Sequence, residues 1–240
     1  MNQTTTDTYT ERLAVTLPAV RERIERAEWA SARTPGSVRL IAVTKSHPFE
    51  AVEAALAAGL SDLGENRVEE LELKVGTFGP DAATWHMIGH LQSRKAPRAA
   101  AVSDLIHSVD SLRLAEKLAR VAIEEGRVLR VLAQVNTSGE GSKSGFSPAQ
   151  ADDEIARMAE LPGLMVDGLM TMAPFVDDEA VLAAAFGGLR ELSVRLRAAT
   201  QRIGPELSMG MTNDLEIAIR EGSTMVRIGT ALFGERGSAT

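Results

Sequence analysis

Two short apolar runs near the end of the chain read Leu207-Ser208-Met209-Gly210-Met211-Thr212-Asn213-Asp214 and Met225-Val226-Arg227-Ile228-Gly229-Thr230. Each run begins like a buried strand and then breaks into glycine and hydroxyl residues, and a helical pattern follows the first run at once. Strand ends of this kind expose backbone N–H groups and hydroxyls at one rim, where phosphate binds well. The two runs therefore predict neighbouring strand ends that share an anion site.

Upstream of these runs, short apolar segments alternate with helical patterns. Several segments, such as Leu40-Ile41-Ala42-Val43, are apolar without alternation, which is typical of strands covered on both faces. The strand candidates are 38–44, 62–65, 85–89, 105–108, 128–136, 164–170, 206–208 and 225–228. Helical patterns follow the first seven of them, at 48–58, 68–75, 94–101, 111–125, 148–160, 178–201 and 214–221.

This alternation predicts an α/β fold, a single (β/α)8 TIM barrel, with a doubly wound open sheet as the structural alternative. Barrels commonly hold phosphate after strands seven and eight, so the position of the two quoted runs favours the barrel. An extra helix precedes the first strand, because apolar residues recur at helical spacing at Leu13, Leu17, Val20 and Ile24. We expect a barrel domain over residues 11–240 and a flexible tail over residues 1–10.

The amino-acid composition of the chain limits the kinds of partner that we expect it to bind. The 240 residues include 26 basic and 33 acidic side chains, a formal net charge of −7, so we expect neither nucleic acid nor an anionic membrane as a partner. The absence of cysteine excludes disulfides and thiol chemistry. Residues 1–7 lack the basic and apolar regions of a secretory signal, which favours the cytoplasm. An acidic surface on a closed one-domain barrel predicts a monomer.

Lys45 follows the first predicted strand directly. A lone lysine at a strand end is commonly a surface residue. In a barrel, however, this end of the strand opens at the mouth, where binding and catalytic groups gather. An amine there and a phosphate site at two other strand ends match pyridoxal 5'-phosphate (PLP), a cofactor that carries both an aldehyde and a phosphate.

Arg227 lies inside the last predicted strand, three residues before Thr230. A charged side chain in a core strand is costly unless it is paired. Two interpretations stay open: a salt bridge to a barrel acid such as Glu65, and a hydrogen bond to the pyridine nitrogen of the cofactor. The second would keep the pyridine unprotonated, because a guanidinium stays charged, and would weaken the ring as an electron sink.

Three residues at the last two strand ends are candidate phosphate ligands: Ser208, Gly229 and Thr230. Glycine allows close approach and hydroxyls donate, although each residue taken alone fits an ordinary turn. Their convergence at adjacent strand ends favours phosphate. Asn66, after the second strand, either faces the same ligand as Lys45 or caps the following helix.

Two other motifs are set aside. The segment Gly139-Glu140-Gly141-Ser142-Lys143-Ser144 resembles a nucleotide P-loop, but Ser142 stands where that motif needs glycine, which leaves only a ligand contact by Lys143 open. His86 and His90 have the spacing of a helical zinc pair but lie on a predicted strand. A rise of about 3.3 Å per residue puts them roughly 13 Å apart, so we predict no metal site.

Six segments together resemble the pyridoxal phosphate homeostasis protein family, from about Leu40 to Glu235: 42–45, 64–70, 85–95, 136–145, 207–214 and 222–230. The resemblance implies a barrel similar to the N-terminal domain of alanine racemase and a Schiff base between PLP and Lys45. It also implies that Arg227 lies at the pyridine nitrogen, with the phosphate near Ser208, Gly229 and Thr230. Asn66 and Lys143 match family positions.

The resemblance implies a carrier or regulator of intracellular PLP, active in vitamin B6 homeostasis, with no catalytic residues and with apo forms of PLP-dependent enzymes as partners. The alternative is a PLP-dependent amino-acid racemase. Racemisation needs a base on each face of a planar intermediate. The racemase family takes its second base, a tyrosine, from another domain. Here the only tyrosine is Tyr9, in the predicted tail, and His90 would have to replace it. A Schiff-base aldolase is a third possibility, but that function assigns no role to Arg227.

Overall fold

In residues 3–138 and 144–235, which the computed structural model describes, eight parallel strands close into a barrel. The strands are β1 (Arg39–Val43), β2 (Asp62–Glu65), β3 (Thr84–Met87), β4 (Leu105–Val109), β5 (Leu129–Gln134), β6 (Leu164–Met170), β7 (Ile203–Ser208) and β8 (Met225–Ile228). β1 pairs with β2 on one side and with β8 on the other, where Ile41 lies opposite Arg227. The last strand thus closes on the first, which confirms the predicted barrel over the open sheet.

Helices connect successive strands on the outside of the barrel. They are α1 (Gln3–Ala30), α2 (Phe49–Ala57), α3 (Val68–Phe78), α4 (Ala96–Val102), α5 (Leu112–Glu124), α6 (Ala151–Ala159), α7 (Glu179–Ala199), α8 (Leu215–Arg220) and α9 (Thr230–Phe233), with 3₁₀ turns at Pro80–Ala82 and Ser93–Lys95. The Ser111 hydroxyl accepts the Leu114 N–H at the start of α5, as an N-cap does. Every helix in the described ranges is too short or too polar to cross a bilayer.

Strand side chains alternate between the barrel interior and the helix layer. A small apolar cluster occupies part of the interior and consists of Ile41, Leu105, Leu132, Met170 and Met225. The outward side chains join the helix faces in a larger core. Both faces are buried, which explains the continuous apolar runs in the sequence. Because the alternation has period two, a residue two positions beyond an inward-facing strand residue also faces inward, toward the mouth of the barrel.

Helix α1 covers one side of the barrel and packs against α2, α8 and α9. Its predicted apolar face is confirmed as buried. The structure differs from the predicted tail, since α1 begins at Gln3 and continues through Pro18. The reason is a set of contacts distant in sequence: the Tyr9 hydroxyl lies 3.0 Å from His47 Nδ1, and the Thr16 hydroxyl donates to the Leu232 carbonyl at 2.9 Å.

Candidate functional site at the mouth of the barrel

A cavity of about 590 Å³ opens at the carboxyl ends of the strands, the face at which barrels bind ligands. Its volume suits a small molecule. The residues that line it include Lys45, Asn66, His90, Arg227, Gly229 and Thr230. Met172 and Phe175, on the loop after β6, add an apolar wall that the sequence does not predict.

Lys45 reaches this cavity because it continues the inward positions of β1. Ile41 belongs to the interior cluster, Val43 lines the cavity, and Lys45 follows two residues later, partly exposed in the cavity wall. Thr44 points the other way, and its hydroxyl donates to Glu65 Oε1 at 2.5 Å. The register of a single strand therefore brings an amine to the mouth.

A buried ion pair anchors the backbone beside Lys45. Glu65 Oε1 and Lys74 Nζ lie 2.6 Å apart, and Lys74 also donates to the Thr44 carbonyl at 2.7 Å. Burial raises the pKa of Glu65, and the charge and hydrogen bond of Lys74 oppose that rise only in part. On the other side, the Ser46 N–H donates to a carboxylate of α3 at 2.9 Å. Both neighbours of Lys45 are thus tied to α3.

Arg227 is a buried cation at the base of the cavity. Its Nη1 donates to the Ser208 hydroxyl at 2.6 Å, and its Nη2 donates to the Thr171 carbonyl at 2.9 Å. Burial lowers the pKa of Arg227 to about 10, while the charge of Asp214 acts in the opposite direction, so the guanidinium stays charged at neutral pH. The alternative of a salt bridge to Glu65 is wrong, because Glu65 points away from the interior toward α3.

Two of the three predicted phosphate residues line the cavity and the third does not. Gly229 and Thr230 lie at the end of β8 beside Arg227. Ser208 is fully buried, and its hydroxyl contacts both Arg227 Nη1 and His107 Nδ1, the latter at 2.9 Å. Ser208 therefore lies one layer below the cavity and supports Arg227.

Asn66 lines the cavity and does not cap α3, whose N-cap residue is Arg67. The ends of β2 and β3 come very close here: a Cβ on Gly89 would lie 2.2 Å from the Asn66 carbonyl oxygen. Only glycine allows this approach. Gly89 thus holds Asn66 at the cavity wall, and the alternative of a helix cap is wrong.

His90 stands at the mouth, with Nδ1 3.1 Å from Asp110 Oδ2 and 3.4 Å from Ser144 Oγ. It has no partner in common with His86 in the described residues. Residues 139–143, which include Lys143 and most of the motif resembling a P-loop, lie outside the described part of the chain.

A pair of buried histidines was not predicted. His86 Nδ1 lies 2.9 Å from His107 Nε2, and His86 Nε2 lies 3.1 Å from Asp62 Oδ1. Alternation along β4 could have placed one member of the pair: His107 stands two residues after Leu105 of the interior cluster, so both side chains face the barrel interior. Spacing along one strand does not reveal this pair, since its members come from neighbouring strands.

This barrel, with its lysine and arginine at one mouth, is of the alanine racemase N-terminal type, and residues 15–237 match the family described as alanine racemase, N-terminal domain. The chain is 42% identical over 224 residues to the pyridoxal phosphate homeostasis protein of Pseudomonas aeruginosa, covering 93% of this chain and 96% of the relative. The chain belongs to the pyridoxal phosphate homeostasis protein family, which confirms the resemblance predicted from its motifs.

Two solved structures are also similar. A protein of Bifidobacterium adolescentis, described as unknown, has a TM-score of 0.90 and 41% identity, covering 95% of this chain and 96% of that chain. PipY of Synechococcus elongatus, with PLP bound, has a TM-score of 0.77 and 39% identity, covering 88% of this chain and 100% of that chain.

Proposed function

We propose that this protein binds PLP in the cavity at the barrel mouth and holds it as a Schiff base on Lys45. One observation carries the proposal: Lys45, Arg227 and the Gly229–Thr230 strand end open into the same cavity of about 590 Å³. An amine, a buried N–H donor and an anion site therefore face one space. Bound PLP in the similar PipY structure supports PLP as the ligand. The cofactor would supply an aldehyde for the amine and a phosphate for anchorage.

Different lining residues contact different parts of the cofactor. We assign Lys45 to the aldehyde, Arg227 to the pyridine nitrogen, and Gly229 and Thr230 to the phosphate, with Asn66 as a polar contact near the ends of β2 and β3. Ser208 serves Arg227 instead of the phosphate. The fit depends on burial, because a guanidinium held away from water makes a stronger hydrogen bond than an exposed one.

We further propose that the protein carries PLP and does not turn over a substrate. Arg227 stays charged and donates to the pyridine nitrogen without protonating it, which leaves the ring a weak electron sink. Tyr9, the only tyrosine of the chain, bonds His47 and does not line the cavity, so it is not placed to act as a second base. A racemase is the second candidate function, because His90, paired with Asp110, lines the same cavity.

The proposed carrier acts in vitamin B6 homeostasis in the cytoplasm, as a monomer that gives PLP to apo forms of PLP-dependent enzymes. The net charge of −7 disfavours nucleic acid and anionic membranes as alternative partners. Sedimentation of the loaded protein tests the monomer, whose mass would be 25.6 kDa. A species of twice that mass would contradict it.

The cofactor site is tested by mixing the purified protein with PLP, recording its absorption, reducing with borohydride and mapping the modified peptide. We expect a yellow protein with the cofactor fixed at Lys45. Lys45→Ala should abolish the adduct, whereas the control Lys117→Ala, on α5 outside the barrel, should retain it. A colourless parent protein without an adduct on the Lys45 peptide would overturn the proposal.

The carrier role is tested separately. The loaded protein is mixed with an apo-enzyme, and the recovered activity is compared with that given by free PLP at the same concentration. Transfer predicts full recovery at a rate that differs from the free-cofactor control. In a second assay, alanine and serine enantiomers are incubated with the loaded protein. Appreciable racemisation that is lost in His90→Ala would replace the carrier by the racemase.

A further inference from the structure

Five polar side chains form one hydrogen-bonded chain through the barrel interior: Arg227, Ser208, His107, His86 and Asp62. Successive distances are 2.6 Å, 2.9 Å, 2.9 Å and 3.1 Å. The chain starts at the cavity at the mouth and ends at the first residue of β2, on the opposite face of the barrel. There Asp62 lines a separate cavity of about 290 Å³. The interior of the barrel is thus not purely apolar.

The chemistry of the two ends sets the direction of each bond. A guanidinium only donates, so Ser208 accepts from Arg227 and directs its own proton to His107 Nδ1. An ionised carboxylate only accepts, so the His86 Nε2–H donates to Asp62. A neutral imidazole accepts at one nitrogen and donates from the other, and the His107 Nε2–H therefore donates to His86 Nδ1. When both histidines are neutral, the two ends of the chain require the proton to be on Nε2 in each of them.

Protonation of a histidine would break this order. A protonated His107 would turn an N–H toward the Ser208 hydroxyl, whose proton would then lose its acceptor. A protonated His86 would force the His107 proton onto Nδ1, with the same result. Burial lowers the pKa of His107 well below its ordinary value of 6.5, and the charges of Arg227 and Arg39 add to this effect, as would any charge on His86.

Asp62 is suited to end the chain as an anion. Burial by itself raises its pKa, but the interactions with His86, followed by those with Ser61 and Arg39, bring the pKa below its ordinary value. A fixed negative charge at one end and a fixed positive charge at the other polarise the bonds between them in one direction, which strengthens each bond.

We propose that His107 and His86 are positioning residues for Arg227. By fixing the Ser208 hydroxyl, they hold the guanidinium so that its remaining N–H groups face the cavity. The inference rests on the proposed function, since those groups meet the pyridine nitrogen only when PLP occupies the cavity. It assigns a role in cofactor recognition to two side chains that do not line the cavity.

The first test is made on the apo protein, by nitrogen NMR of the labelled histidine rings. We expect His86 and His107 to be neutral at neutral pH, with the proton on Nε2 in both. Variants that each lack one histidine assign the signals. A proton on Nδ1 of His107, or a charged ring at either position, would overturn the proposal.

The second test compares PLP binding by His107→Phe and His107→Asn. The phenylalanine removes the acceptor for Ser208, so we expect affinity to fall about tenfold, as for one lost hydrogen bond to a charged group. The absorption of bound PLP should shift in the same direction as in Arg227→Ala. The asparagine oxygen can accept from Ser208, so its affinity should stay within about threefold of the parent.

Unchanged affinity and absorption in a folded His107→Phe protein would refute the positioning role. Should that variant not fold, the ring protonation of the parent protein decides the matter. If the parent protein binds no PLP at all, the proposed function fails in the binding assay, while the NMR result still reports on the chain. The two failures are therefore distinguishable.

Discussion

Replacing Lys74 with methionine removes the cation that neutralises Glu65 and keeps most of the side-chain volume. Glu65 is fully buried, and Lys74 is 4% exposed, so water does not compensate the loss. Breaking a buried ion pair by removing one partner costs about 3–5 kcal/mol. Because folded domains are typically stable by only about 5–15 kcal/mol, we expect a large fall in the urea midpoint.

The second substitution separates charge from packing. Glu65→Gln in the Lys74→Met background removes the unpaired charge, so the double variant should recover more than half of the lost stability. In the single variant, burial without a partner raises the folded-state pKa of Glu65 above its unfolded value. The deficit should therefore be smallest at acid pH and should grow as the pH rises through the folded-state pKa.

Urea denaturation followed by circular dichroism measures these differences at several pH values. Lys117→Met is the matched control, since it makes the same chemical change on α5, outside the barrel. A loss of less than about 1 kcal/mol in Lys74→Met, a change typical of surface sites, would show that the ion pair contributes little to stability. A double variant no more stable than the single one would show that the unpaired charge of Glu65 is not the cause of the loss.

Three further predictions concern the interior and the mouth. The pKa of His107 is depressed in the folded protein, so below pH 6.5 the unfolded chain binds a proton at His107 that the folded chain does not bind, and stability falls. Between about pH 7.5 and 5.5, urea titrations should show that the parent loses about 1.4 kcal/mol more stability than His107→Gln. Gly89→Ala should displace Asn66 and weaken PLP binding in absorption titrations, whereas Gly76→Ala, where a Cβ meets nothing within 4 Å, should not. Arg227→Ala should shift the absorption of bound PLP; an unchanged spectrum would argue against contact with the ring.

The barrel could be predicted because its signals are local. Apolar runs without alternation indicate strands buried on both faces, and the intervening helical patterns set their order. Lys45 could be found because it directly follows such a run, and Arg227 because a charge inside one is costly. The start of α1 could not be found in the same way, since Tyr9 meets His47, 38 residues away.

The sequence alone predicts that Lys45, Asn66, Gly229 and Thr230 follow strand ends, and such ends share one mouth in a closed barrel. The contacts of Ser208 with Arg227 and of His86 with His107 are seen only in the folded barrel. Alternation with period two shows which way a side chain faces, but it does not identify the partner of that side chain on another strand. The contact between Ser208 and His107 joins residues 101 positions apart, and the closure of the barrel brings them together.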